Sequence, residues 1–175
     1  MKTSNYFFII LLLIGTALSS CKKSDIDHEN KFDESYKAWT DFKKSSGNSY
    51  RYSVTTVSWT GSRTKTMITV KDGQAIHRSY VSKTIISTPK IEETIHEEWQ
   101  EDKNTLNTHS SGFKAITLDE VYQLAKTQWL VKRKGSESVL ETKNNGMISA
   151  CGYSAENCID DCFSGISIES IEGHM

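Results

Sequence analysis

The dipeptide Asp72-Gly73 lies between two strand-length runs, and no other local feature constrains this chain as tightly. A two-residue hairpin turn needs positive φ, which Asp-Gly adopts at little cost, so the flanking runs must fold back on each other. Thr66, Ile68 and Val70 alternate before the turn, and Ala75 to Ser87 continue as extended chain after it. Upstream, Tyr50, Tyr52 and Val54 share one strand face, whereas Val57 and Trp59 have the opposite parity. That phase slip predicts a β-bulge near Thr55 and Thr56. Thr60-Gly61-Ser62 turns the chain between the first two strands. Downstream, Pro89 marks another turn. Ile91, Ile95 and Trp99 fit either a helical stripe or one strand face, and the matched segment lengths favour a strand over 91–101 pairing with 75–87.

Two helices flank this four-strand unit. Phe32, Tyr36, Trp39 and Phe42 recur at helical spacing within 31–46, with Asn30 as expected cap, Asp33 in the first turn and Gly47 as stop. Four aromatics in one stripe could form a ligand platform, but more often such a face packs on a sheet. Thr117-Leu118-Asp119-Glu120 reads as a capping box. Leu118, Val121, Tyr122, Ala125 and Trp129 then share a face, and Lys132 to Lys134 suit the negative end of the helix dipole. A closing meander is expected: Val139 to Thr142, the Asn145-Gly146 turn, Met147 to Cys151, a loop, and Ile166 to Ile171. Short hairpins between neighbours imply an α+β fold: an antiparallel sheet of about seven strands, two helices on one face, in the order α-β-β-β-β-α-β-β-β.

The N-terminus follows different rules. Lys2 precedes a nearly unbroken apolar run from Tyr6 to Leu18, then two serines and Cys21, the pattern of a secretory signal peptide. The run falls short of the roughly 20 apolar residues a membrane-spanning helix needs. Leu18-Ser19-Ser20-Cys21 resembles the bacterial lipobox, which implies cleavage before Cys21 and acylation of its thiol. Two or three acyl chains at about 0.8 kcal/mol per buried methylene would anchor the chain durably. The expected layout is a signal peptide over 1–20, a polar tether over 21–30 and one domain over 31–175. Lys22 in place of an aspartate, by resemblance to known sorting patterns, argues against inner-membrane retention. Lys22-Lys23 with Asp25, Asp27 and Glu29 is similar to surface-export signals of Bacteroidota lipoproteins. The expected location is the cell envelope, lipid-anchored in the outer membrane and facing periplasm or surface, with the bilayer as first partner.

Cleavage would remove one of 21 basic residues, Lys2, leaving 20 against 22 acidic ones and a formal net charge of −2. Such near-neutrality provides no field for nucleic acid. With Cys21 taken by lipid, Cys151, Cys158 and Cys162 remain, in a disulfide-permissive compartment. A bridge between Cys151 and Cys162 is expected, worth roughly 2–3 kcal/mol in the chain-entropy picture. Cys158 would then be free or replace either partner. These three with His174 make a poor zinc set, since only Cys158 and Cys162 approach the usual spacing. Asp160-Asp161 lacks the spacing of a calcium loop. Glu92, Glu93, Glu97, Glu98, Glu101 and Asp102 read as a solvated face. His28, His77, His96, His109 and His174 are scattered, and neither G-x-S-x-G nor H-E-x-x-H occurs. No active site, cofactor or metal is expected.

Residues 116–130 (ITLDEVYQLAKTQWL), 144–168 (NNGMISACGYSAENCIDDCFSGISI) and the VKDG hairpin at 70–73 resemble small bacterial lipoproteins of a family of unknown function. The resemblance spans residues 32–171. It implies a membrane-anchored α+β domain and brings no activity with it. The expectation is a non-enzymatic domain that binds an envelope protein or glycan or serves a structural role. The strand aromatics Tyr50, Tyr52, Trp59 and Tyr80 would be the candidate surface. The alternatives are an inhibitor or periplasmic assembly factor acting through the cysteine loop and, last, a hydrolase.

Overall fold

The computed structural model describes residues 25–86, 92–158 and 162–173. The expected signal peptide, Cys21, Pro89, Asp160-Asp161 and His174 lie outside the described residues. Helix α1 (Glu29–Ser45) leads into strands β1 (Tyr50–Val57), β2 (Ser62–Lys71), β3 (Gln74–Ile86) and β4 (Glu92–Asp102). Helix α2 (Leu118–Leu124) continues as a π-helical turn over Ala125–Trp129, and β5 (Ser136–Glu141), β6 (Ala150–Ala155) and β7 (Ser164–Gly173) complete the chain. All seven strands join one antiparallel sheet in the order β4-β3-β2-β1-β7-β6-β5. The α+β architecture read from the sequence is the one formed.

The segment expected as a strand over 91–101 forms β4 from Glu92 onward, paired along β3 as expected, and residue 91 lies outside the described residues. The capping box is complete. Thr117 Oγ1 accepts from the Glu120 amide at 3.3 Å, and Glu120 returns a carboxylate oxygen to the Thr117 amide at 2.7 Å. Helix α1 ends at Gly47 (φ 60°), with the Asn48 amide reaching back to the Lys43 carbonyl at 2.9 Å. This is the left-handed termination that glycine permits.

Four expectations need correction. Helix α1 starts two residues early, with His28 rather than Asn30 at the cap position and no side-chain capping bond. The 21–30 stretch is not all tether. Ile26 is buried and bridges to Val131, His28 Nε2 bonds the Ser138 carbonyl at 3.1 Å, and Lys31 Nζ donates to the Leu140 carbonyl at 2.7 Å. Ile26 thus docks the segment beside Val131, and His28 and Lys31 hold it along the outer edge of β5. The bulge lies in β7 rather than near Thr55: Ser53 faces Ser170, Val54 faces Ile168, and Glu169 is the extra residue. The closing meander is displaced, because the Asn145-Gly146 turn closes a single bridge, Asn144 to Met147, and β6 begins only at Ala150.

The covered sheet face explains the tyrosines. Tyr50 and Tyr52 are fully buried beneath the helices and offer no binding surface, and Tyr80 keeps only 8% of its surface exposed. Each of the deepest hydroxyls is used. Tyr50 Oη accepts the Leu118 amide at 2.8 Å, Tyr52 Oη donates to the Ile116 carbonyl at 2.6 Å, and Tyr122 Oη donates to the Ser35 carbonyl at 3.0 Å while accepting the Ile148 amide at 3.2 Å. Trp39 Nε1 and Lys43 Nζ both reach Asp119, fastening α1 to the start of α2.

Among the described residues no helix covers the β2–β4 side of that face. Residues 103–117 cross it as irregular chain, fixed by a buried ion pair. Arg78 and Glu101 face each other across β3 and β4, with side chains 1% and 0% exposed. They form two parallel bonds of 2.8 Å. The remaining capacity of both groups holds the loop. Arg78 donates to the carbonyls of His109 and Phe113, and Glu101 accepts the amides of Asn107 and His109 and the Thr108 hydroxyl. Trp99 stacks on His109 with centroids 4.3 Å apart, and the Arg78 guanidinium lies 4.5 Å from the same indole. Gly112 has φ 79°, and a Cβ there would meet the Tyr80 ring at 2.7 Å, so the loop can lie flat on the sheet only with glycine at this point.

The Arg78 guanidinium, aided by the His109 and Asn107 amides, holds the Glu101 carboxyl well below its ordinary value of 4.5. Because the folded value is depressed, the stabilisation is full above 4.5 and is lost as pH falls from there towards the folded value. Glu101→Gln should therefore cost about 3–5 kcal/mol at neutral pH by stranding a buried guanidinium. Its denaturant midpoint should also fall less steeply below pH 4.5 than the wild type's. Replacing both partners with Met and Leu should recover much of the loss. An unchanged midpoint in Glu101→Gln would remove the pair from its organising role.

Candidate functional site

Within the sheet, the neighbouring strands β1 and β7 part before β1 ends. β1 pairs with β2 along its whole length, Tyr50 to Val57, but with β7 only from Tyr50 to Val54. β7 in turn gives its first residues, Ser164 to Ser167, to β6. Thr55–Val57 and Ser164–Ser167 therefore face each other across a notch without ladder bonds between them. The Glu169 bulge marks where pairing stops. Beyond it neither face of β1 is covered, which accounts for the phase slip in the sequence: Val57 is 65% exposed and Trp59, in the following turn, 82%.

A hollow of about 370 Å³ opens from the notch onto the helix-side face, between Val54, Thr66, Tyr80, Phe113, Phe163 and Ile166. A second, of about 580 Å³, lies in the notch itself against Thr55, Val57, Ser58, Phe163 and Ser167. A third, of about 270 Å³, opens on the opposite face, where Arg63, Lys65 and Lys83 meet Glu169. Lys65 binds Glu169 at 2.6 Å and Lys83 binds Glu93 at 3.0 Å. Among the described residues Arg63 has no acidic partner and is exposed. The notch thus has an apolar mouth on one side and a basic one on the other.

The cysteines border this region in an arrangement different from the expected one. Cys158 and Cys162 pair, with Cα atoms 6.1 Å apart, and Cys151 is free and buried. The displaced meander is the cause. Cys151 lies inside β6, opposite Leu140 and Ile166, with its side chain in the core, and so cannot reach Cys162. Cys158 takes its place. Burial pushes the Cys151 thiol up to about 12. Just after the pair, Phe163 lies against Gly152, where a Cβ would meet its ring at 2.5 Å, and stays 43% exposed at the notch.

The other singled-out residues do not converge. His77 faces Asp102 across β3 and β4, His96 Nε2 lies 2.8 Å from Thr84 Oγ1, and His28 and His109 serve the contacts described above. Glu92, Glu93, Glu97 and Glu98 are exposed along β4, as a solvated face should be, whereas Glu101 is not. Among the described residues no group of three or more His, Cys, Asp or Glu side chains could hold a metal, and no helix is long and apolar enough to cross a membrane. Sequence reasoning missed Arg78, Phe163 and the notch. Only the parity change at Val57 signalled the last.

Comparison with protein families, with characterised proteins and with solved structures finds no match for this chain.

The thiol assignment is directly measurable. Iodoacetamide should leave the native protein unlabelled at residues 151, 158 and 162, label Cys151 alone after unfolding without reductant, and label all three after reduction. Native labelling of Cys151, or a peptide linking it to Cys162, would contradict the arrangement.

Proposed function

We propose that the chain is a cell-envelope lipoprotein, anchored through acylated Cys21 in the outer membrane, whose domain binds a protein or glycan partner and performs no catalysis. The observation that carries this reading is the run from Lys2 through Leu18-Ser19-Ser20-Cys21, followed closely by a domain already docked at Ile26. Five residues reach at most about 17 Å, so the anchor would hold the domain against the bilayer on a short leash. The binding reading draws support from how the titratable interior is used. Arg78, Glu101, Tyr50, Tyr52 and Tyr122 are engaged in structural bonds, while the notch offers an open and chemically mixed surface. An inhibitor or assembly factor working through the cysteine loop is the second reading, favoured by Phe163 standing exposed beside the Cys158–Cys162 pair.

Cys21→Ser should move the protein from the membrane fraction to the soluble envelope fraction and abolish labelling with an alkynyl fatty acid. The wild type should fractionate with the outer membrane. Unchanged partitioning of the variant would refute the anchor.

A further inference from the structure

We infer that the notch between β1 and β7 is a docking site for an extended peptide segment, which adds to the free edge of Thr55–Val57. The proposal rests on the binding reading above and is independent of lipidation.

The argument begins with the sheet edges. An unpaired strand edge is a template for another chain, and stable folds guard such edges with charge or cover. The outer edge of β4 carries Glu92, Glu93, Glu97 and Glu98, all exposed. That of β5 is closed by Lys31 and His28, bonded to the carbonyls of Leu140 and Ser138. Among the described residues the Thr55–Val57 edge has neither protection. Its side chains are two threonines and a valine, it ends in an exposed turn, and it faces open volume. β-Branched residues with free ladder positions favour added backbone over any other ligand class, since affinity in strand addition comes from main-chain bonds.

The two faces then set the side-chain chemistry. Successive residues of an added strand point to opposite faces. One set would enter the hollow formed by Tyr80, Phe113, Phe163 and Ile166, which suits apolar side chains. The other would meet the basic mouth, where Arg63 is without an acid among the described residues. The fitting occupant alternates apolar and acidic residues. A glycan would use the hydroxyls of Thr55, Thr56 and Ser167 but leave the ladder groups of β1 unanswered.

The test uses the full-length protein in detergent and a blocked, fluorescein-labelled heptapeptide of alternating valine and glutamate. Saturable binding by anisotropy is expected, with slowed amide exchange confined to Thr55–Val57 and the start of β7. The fully N-methylated peptide should bind at least about tenfold more weakly, the equivalent of one or more net backbone bonds. Arg63→Glu, an exposed change that leaves the core intact, should weaken binding about fivefold through charge reversal. Four results would overturn the proposal: no saturable binding, equal binding of the N-methylated peptide, protection along β4 instead, or protection of Thr55–Val57 without peptide in a concentration-dependent dimer. Because lipidation plays no part in the assay, a failed Cys21→Ser experiment would leave its outcome unaffected.

Discussion

The ion pair between Arg78 and Glu101 decides what the β2–β4 half of the sheet can be covered with. Removing two charges from water costs several kcal/mol each, and Coulomb attraction repays this only if the remaining donors and acceptors are also satisfied. Here they are satisfied by the backbone of residues 103–117, so the pair and the loop require each other. Without the loop the charges are stranded. Without the charges the loop would keep only its peripheral bonds, such as Phe113 N to Thr66 and Ala115 N to Asn107, and would lose the centre that joins them. The pair therefore does the work that a third helix would do elsewhere, and it sets the floor of the adjoining hollow by placing Phe113 and Gly112 over Tyr80.

On the other half, tyrosine hydroxyls perform the equivalent task. Seven helical residues before a π-helical turn make a short element, too short to hold itself by propensity. Its start is fixed from below by Tyr50 and Tyr52, from within by the Thr117–Glu120 box and from the side by Trp39 and Lys43 through Asp119. The aromatic stripe of α1 packs into this network, with Trp39 stacked on Tyr122 and edge-on to Tyr50.

What the sequence revealed and what it hid divide by range. The Asp72-Gly73 hairpin, the capping box and the extended character of 92–101 depend on a few adjacent residues, and all formed as read. The buried ion pair depends on register across β3 and β4, which shifts between Ser82 and Lys83, and no local pattern encodes such a shift. The cysteine pairing failed for a related reason: a strand start displaced to Ala150 turned Cys151 from a loop residue into a core one. Alternation correctly put Tyr50, Tyr52 and Val54 on one face but could not say which face the helices would take. The parity change at Val57 was a true signal with the wrong cause, since the partner strand turns away there and β1 itself does not bulge.

The docking of Ile26 on Val131 and of His28 and Lys31 on β5 has a mechanical consequence. A load applied to the chain ahead of Ile26 would meet these contacts first. It would arrive at the edge of the sheet and act on those few contacts one after another, as tape lifts from a surface. Pulling on that segment and opening the fold at β5 would then be a single event.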